Sequence, residues 1–457
     1  LNNHSANSFA AFCIAGTSSG DGKTTLTLAL LRALRRRQIK VQPFKCGPDY
    51  IDPTFHQVAA GCASRNLDLW MMGENEVMNS FAVNSADADC AVVEGVMGMF
   101  DGASPVTLAG STAETALVLH LPVILTVNAK GTAGSIAALV KGFVDFCPGI
   151  TIIGVIANRV NSEAHAAILS EALAAHHLPP LLGRLPDTPE WALPERHLGL
   201  VPFAENEKSE PWFEKLADAA EQYLDLDRIL KLAAMPRIAV EIPPLPPPSV
   251  RLGVALDEVF HFYYADNLDI LRRSGIELIE FSPLHDTVLP ENLNGIYLGG
   301  GFPEMFAGEL AENSAMRRAI KTFADNGGAV YAECGGYMYL TETIAGDDGK
   351  PMPMCGLIPA DTTMGKRLGP FGYRDLTAVN DCCFGAAGVK ARGHEFHWSQ
   401  VTFRRAVTPL WSGHGCRDNT AVNSGYCSGR VCAGYIHIHF ASNPVLVENF
   451  RDFLLNK

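Results

Sequence analysis

Two series of short apolar runs, each run set off by a helix-length segment, constrain this chain more than any other feature. The first series reads FAAFCIAG, KVQPFK, CAVVEGVMG, PVILTVNA and TIIGVIANRV, with the leucine-rich TTLTLALLRALRRR behind its first member. Strands that are apolar at nearly every position are buried on both faces, and connections long enough to hold a helix make them parallel. The stretch MPRIAVEIPPLPPPSV, residues 235–250, then breaks the alternation with six prolines. Proline lacks the amide hydrogen that a helix or a central strand requires, so this stretch reads as an extended linker. Beyond it RLGVALDE, IELIEFSPL, GIYLGGGFPE, AVYAECGG and AGYIHIHF form a second series. The expected fold is α/β in two domains, 1–234 and 251–457, joined by residues 235–250; at 457 residues the chain also exceeds one ordinary core.

A formal net charge of −13 argues against nucleic acid or an anionic membrane as partner, since both would repel this surface. No apolar run reaches the length of a membrane span. Twelve cysteines lie scattered without a CxxC pair or a regular framework, which points to a reducing compartment, the cytoplasm, rather than to a disulfide or zinc scaffold. The expected partners are therefore small molecules, and a homodimer is an assembly the chain leaves open. A polyanionic substrate would need a local basic patch, for which Arg65, Arg159, Lys366, Arg367 and Arg392 are candidates.

AGTSSGDGKTT, residues 15–25, stands between the first apolar run and the leucine-rich helix, where a phosphate-binding loop belongs. Gly20 and Gly22 let backbone N–H groups turn toward phosphate oxygens, and Lys23 brings a mobile positive charge. The Thr24 hydroxyl can coordinate Mg2+, with Thr25 beside it. The strict spacing puts glycine six residues before the lysine; here Thr17 holds that place and Gly16 precedes it. Ser18 stands where many dimeric switch ATPases carry a second lysine, which favours a metabolic enzyme. Mg2+ takes several oxygens in near-octahedral array, so acids at neighbouring strand ends should accompany Thr24. PFKCGPDYIDPTFH supplies Asp49 and Asp52, with Lys45 expected to bind ATP and to join Lys23 in neutralising the transferring phosphoryl group, and VVEGVMGMFDG supplies Glu94 and Asp101. Thr24, Asp49 and Glu94 are the expected metal ligands, and Asp49, Asp52 and Glu94 the expected catalytic acids. Tyr50 and Ile51, between two of these acids, and Asp101 are expected to touch the substrate.

AECGG, residues 332–336, ends another apolar run with Cys334 at a strand-to-helix turn. N–H groups at the start of a helix stabilise a thiolate held there. YLGGGFPE, residues 297–304, adds three successive glycines, so the amides of Gly300, Gly301 and Gly335 are expected to form an oxyanion hole. A thiolate in acyl transfer also needs a base. GYIHIHFASNP sets His437 and His439 two apart, on one face of a predicted strand, and His394 and His397 in RGHEFHW are rivals.

Together GTSSGDGKTT, PFKCGPDYID, SRNLDLWMM, VVEGVMGMFDG, LPERHLGL, FHFYYADNLDIL, FSPLHD, YLGGGFPE, YAECGGYMYL, RGHEFHWS and YIHIHFASNP resemble the cobyrinate a,c-diamide synthase family over nearly the whole chain. The resemblance implies a P-loop, dethiobiotin-synthetase-like parallel-sheet domain that binds ATP, followed by a class I glutamine amidotransferase α/β domain. It implies an amidoligase that amidates the a and c carboxylates of cobyrinic acid, a tetrapyrrole polycarboxylate, using ATP, Mg2+ and L-glutamine in cobalamin biosynthesis. By motif matching Cys334 is the nucleophile and His437 its base, while Lys23, Thr24, Asp49, Asp52 and Glu94 belong to the ATP–Mg2+ site. Two alternatives stay open: the same chemistry on hydrogenobyrinate or nickel-sirohydrochlorin, and a regulatory P-loop ATPase with an inactive amidotransferase-like domain. In broader class I amidotransferases the histidine is followed two residues later by glutamate. His439 stands there instead, which leaves open the group that orients His437.

Overall fold

The structure, a computed structural model, describes residues 9–191, 209–346, 349–417 and 419–456; the motif LPERHLGL lies outside them. The chain divides into two compact units, Leu1–Ile242 and Pro243–Lys457, and the division falls inside the proline-dense stretch. Among the described residues no helix is long and apolar enough to cross a membrane.

In the first unit β1 (Phe9–Gly16), β2 (Val41–Cys46), β3 (Arg65–Leu67), β4 (Cys90–Glu94), β5 (Val123–Asn128), β6 (Ile152–Asn158) and β7 (Leu181–Leu185) share one sheet. Their order is β3-β2-β4-β1-β5-β6-β7, with every neighbouring pair parallel. A short β8 (Ala234–Met235) pairs antiparallel with the start of β1. All residues of β1 and β4 are buried, as strands covered on both faces require. The chain enters this sheet near its middle and winds outward in both directions, so the connections after β1 and β4 part and open a crevice at their carboxyl ends.

Helix α1 (Lys23–Arg36) begins at Gly22, which takes the left-handed conformation at φ 89°. It buries Leu26, Leu28, Leu30, Leu31 and Leu34, and closes with Arg35 and Arg36, cations that suit the carboxyl end of a helix dipole. Arginines of its last turns reach the helix Ser209–Tyr223, with Arg32–Glu214 at 2.8 Å and Arg36–Asp218 at 2.6 Å.

The second unit has a six-stranded sheet in the order Ile276–Phe281, Val250–Ala255, Gly295–Leu298, Ala329–Glu333, Val431–Gly434, Tyr426–Ser428, parallel except for the last pair. Among the described residues three smaller sheets accompany it, one mixed and two antiparallel, the larger antiparallel one built on Phe371–Ala378 and Lys390–Phe396 and reaching His437–Ile438. These strands do not stand out as apolar runs, because Phe371–Ala378 buries only alternate residues over its second half. The predicted strand carrying His437 and His439 is also shorter than expected. It ends at Ile438, and His439 leads into the 3-10 turn Phe440–Ser442.

Leu30 is fully buried in the core between α1 and its neighbours. Leu30→Ala is expected to destabilise the first unit by about 2–5 kcal/mol, read from its urea unfolding midpoint.

Candidate functional site

At the carboxyl ends of β1, β2 and β4 lies a cavity of about 550 Å3. Gly20, Gly22, Lys23, Thr24, Thr25, Lys45, Asp49, Asp52 and Glu94 all line it, so the structure brings the sequence-derived nucleotide and acid residues together. Gly22 is required twice over. Its φ is left-handed, and a Cβ there would run into the Asn158 side chain, whose Nδ2 donates to the Asp21 carbonyl at 2.8 Å. Asp21 in turn accepts from the Ser18 N–H at 2.7 Å and the Thr17 hydroxyl at 2.5 Å, which folds the loop on itself. Lys23 Nζ donates to the Ser18 carbonyl at 3.2 Å; burial, then the nearby Lys45 charge, lowers its pKa.

The register of β2 against β4 sets Lys45 opposite Glu94. Lys45 Nζ lies 2.8 Å from Glu94 Oε1 and 2.6 Å from Asp52 Oδ2, with Asp49 Oδ2 at 3.9 Å. The Thr24 hydroxyl donates to the same Glu94 Oε1 at 2.7 Å, and His56 Nε2 is 2.6 Å from Oε2. Helix α2 (Ile51–Ala60) begins where Asp49 Oδ1 accepts the Ile51 N–H at 2.8 Å, and it carries Asp52 and His56 four apart on one face. That spacing was the available signal for His56, which the motifs did not single out.

Glu94 is fully buried. Burial works to raise its pKa, but Lys45 and His56 outweigh it and hold the carboxyl well below the usual carboxylate range. Burial pushes Asp52 up, to about 7; Lys45 opposes the rise, and Asp49 and Glu94 add to it. Burial lowers Lys45 as well, yet the three acids more than reverse this and keep it charged. Lys45 thus faces carboxylates rather than the loop that would cradle phosphate.

Asn158, Arg159 and Trp191 form more of the cavity wall. Tyr50 and Ile51, expected at the substrate, do not line it: they open α2, where Ile51 packs on the apolar core. Asp101 is exposed and accepts the Gly98 N–H at 3.0 Å, also outside the lining. The reason is directional, since a helix turns neighbouring side chains about 100° apart and adjacency to Asp49 or Asp52 does not aim a residue inward. Among the described residues no group of three or more His, Cys, Asp or Glu side chains forms a metal cage. The oxygens of Thr24, Asp49 and Glu94 are hard donors of the kind Mg2+ takes, one or two carboxylates at a time, together with substrate phosphates.

In the second unit the strand Ala329–Glu333 delivers Cys334 at φ 45°, ψ −104°, directly before the helix Gly335–Tyr339. Positive φ at a residue with a side chain is strained, and a sharp strand-to-helix turn of this kind holds a nucleophile above the sheet edge. Cys334 keeps 7% exposure, whereas the core cysteines Cys13, Cys90 and Cys432 have none. The glycines pack tightly around it. A Cβ on Gly335 would sit 2.8 Å from Gly301 N, and one on Gly300 would meet the His437 ring.

His437 is hydrogen-bonded to Cys334, and its Nδ1 lies 3.3 Å from Glu333 Oε2. Burial works to lower its pKa, but the bonds to Cys334 and Glu333 raise it to about 10. His439 goes elsewhere. Its Nδ1 accepts the Ala441 N–H at 3.3 Å, its ring lies 5.1 Å from that of Tyr264, and burial lowers its pKa to about 3. His397 is tied to Glu395 at 3.1 Å and to the Ser399 carbonyl at 2.7 Å, and His394 sits against Phe371 and Tyr373. Glu333 was not among the residues expected from the sequence, although it stands in AECGG next to the thiol.

Residues 12–201 match the CobQ/CobB/MinD/ParA nucleotide binding domain, and residues 251–445 match the CobB/CobQ-like glutamine amidotransferase domain. The cobyrinate a,c-diamide synthase of Syntrophotalea carbinolica is 48% identical over 447 residues, covering 96% of this chain and 97% of that protein. Its counterpart from Priestia megaterium is 42% identical over 96% of both chains. That of Salmonella typhimurium is 41% identical over 96% of this chain and 97% of its own.

Lys45→Met is expected to leave Glu94 and Asp52 buried without the Lys45 charge, Glu94 keeping only its bonds to His56 and Thr24, and to cost about 3–5 kcal/mol at neutral pH. Glu94 has a depressed pKa in the folded wild type, so its contribution is present above the ordinary carboxylate range and is lost on strong acidification. The deficit of the variant should therefore shrink as pH falls, in urea titrations run side by side at neutral and acidic pH.

Proposed function

Because the chain belongs to the cobyrinate a,c-diamide synthase family, we propose that residues 1–234 activate a carboxylate with ATP while residues 251–457, beyond the linker 235–250, release ammonia from glutamine. The enzyme is an amidoligase with a glutamine amidotransferase domain. The observation that carries the reading is Cys334 at a strained turn, hydrogen-bonded to His437, in a chain whose other unit gathers Lys23, Thr24 and Glu94 around one cavity.

A carboxylate resists ammonia because its delocalised anion repels nucleophiles and would have to expel oxide. ATP removes both obstacles. An oxygen of the substrate carboxylate attacks the γ-phosphorus, the bond to the bridging oxygen breaks, and ADP leaves, giving an acyl phosphate. Ammonia then attacks the acyl carbon, phosphate departs with the C–O electron pair, and loss of a proton leaves the amide. Lys23 neutralises charge on the transferring group. Mg2+, held by Thr24, Asp49 and Glu94, would supply Lewis-acid neutralisation of the phosphate oxygens. Lys45 and His56 keep Glu94 ionised for that role.

At the second site the Cys334 thiolate attacks the side-chain amide carbon of glutamine, with the amides of Gly300, Gly301 and Gly335 facing the developing oxyanion. His437 protonates the departing ammonia, and water then cleaves the thioester to glutamate. The acceptor is cobyrinic acid, amidated in turn at its a and c carboxylates, and Arg159 on the cavity wall gives the polycarboxylate a basic contact.

Purified protein with ATP, Mg2+ and glutamine should convert cobyrinic acid to a product in which OH has become NH2 twice, read by mass spectrometry. Amidation of hydrogenobyrinic acid or nickel-sirohydrochlorin in its place would overturn the assignment of acceptor. Cys334→Ala should lose glutamine use and keep activity with ammonium salt; loss of both contradicts two separate sites. Glu94→Ala should lower amidation from either nitrogen source on the order of 100-fold or more, in steady-state assays.

A further inference from the structure

The glutamine site has a histidine without the carboxylate expected two residues later, and His439, neutral and turned toward Tyr264, does not replace it. Glu333 occupies the space instead. It is the last residue of the strand that delivers Cys334 and is 2% exposed. Its Oε2 lies 3.3 Å from His437 Nδ1 and accepts the Tyr297 hydroxyl at 2.9 Å. Its Oε1 accepts the Tyr331 hydroxyl at 2.6 Å and the Ile438 N–H at 3.1 Å. The four partners come from three strands, Gly295–Leu298, Ala329–Glu333 and His437–Ile438, so the carboxylate is fixed from several sides. Tyr331 and Glu333, two apart on one strand, share a face, which brings the tyrosine hydroxyl to the acid.

A buried carboxyl surrounded by this many donors is held in place as a hydrogen-bond acceptor. An imidazole that donates Nδ1–H to such a group presents Nε2 in one tautomer and one orientation. We propose that Glu333 is the positioning residue of the glutamine site: it holds His437 by Nδ1–H, aims Nε2 at Cys334 Sγ and stabilises the imidazolium that accompanies the thiolate. The inference rests on the reading of Cys334 and His437 as the glutamine-cleaving pair. The residue just before the nucleophile thus does the work that the wider class assigns to a position after the histidine.

Several other titratable groups surround this pair. Tyr297 and Tyr331 bond to Glu333, Tyr263 feels its charge, His394 stands across the strand pair from His437, and His439 follows two residues on. All are unchanged in the variants below, so a displaced limb reports on Glu333.

Glu333→Gln and Glu333→Asp are to be assayed beside wild type as full chains, with glutamine and with ammonium salt, across pH. Glu333→Gln should lower glutamine-dependent turnover on the order of 100-fold. Ammonium-dependent amidation should stay within about twofold, because it bypasses the glutamine-cleaving step in which Glu333 takes part. The imidazolium loses a supporting charge, so His437 should deprotonate earlier and the alkaline limb of the glutamine profile should move down by about one pH unit. Glu333→Asp should recover part of the rate and part of the limb. An alkaline limb that stays at the wild-type position overturns the proposal, as does glutamine turnover equal to wild type. If Glu333→Gln does not fold, Glu333→Asp carries the same test: a limb moved toward lower pH supports the role and an unmoved one overturns it. Cys334→Ala, run in parallel, separates the two ideas, since glutamine use surviving there would sink the nucleophile assignment whatever Glu333 does.

Discussion

Lys45 and Glu94, both buried, meet 2.8 Å apart at the wall of the cavity, and the candidate nucleotide site is organised around that contact. An isolated carboxylate moved into a protein interior costs several kcal/mol, so Glu94 can stand at the foot of the phosphate loop only with its counter-charges in place. Lys45 from β2 provides the charge, and His56 from α2 a hydrogen bond. Once Glu94 is held, its first oxygen is available to the Thr24 hydroxyl at 2.7 Å, and the start of α1 is tied to the end of β4. The glycine loop between β1 and α1 then spans a short gap with both its ends fixed.

The second unit meets a buried acid mainly with hydroxyl and N–H donors. Glu333 is as buried as Glu94, and its lone pairs are met by two tyrosine hydroxyls, a backbone N–H and a histidine rather than by a lysine. In each unit the candidate site lies where a parallel strand ends, because there backbone groups and side chains of adjacent strands point into one crevice. The contrast suits the two proposed tasks: an acid paired with lysine and histidine for sharing with a metal and phosphates, and an acid enclosed by hydroxyls for orienting one imidazole.

Much of the first site was legible because it is local. Gly22, Lys23 and Thr24 are consecutive, and a loop between an apolar strand and a helix leaves few other uses for them. Asp49, Asp52 and Glu94 follow at the ends of recognisable strands. Tyr50 and Ile51 were read from adjacency to two acids and Asp101 from its place after a strand end, and neither says on which side of a turn or bend a side chain emerges. In the second unit Cys334 and the glycines were legible for the same local reason. Glu333 was in view, one residue from the thiol, but its worth depends on Tyr297, Tyr331 and His437, which lie up to 104 positions away. His439 drew attention by a two-residue repeat that the backbone abandons after Ile438.

By itself the sequence determined two α/β units, the proline-dense break between them, the phosphate loop, and a thiol at a strand-to-helix turn. Each of these follows from periodicity, glycine and proline conformation, and the spacing of neighbours along the chain. Only the tertiary structure decided that Lys45 stands across from Glu94, and that Glu333 rather than His439 meets His437. Both depend on strand register and on which face of a strand turns inward. Those are set by packing among residues far apart in the chain, which no local pattern encodes.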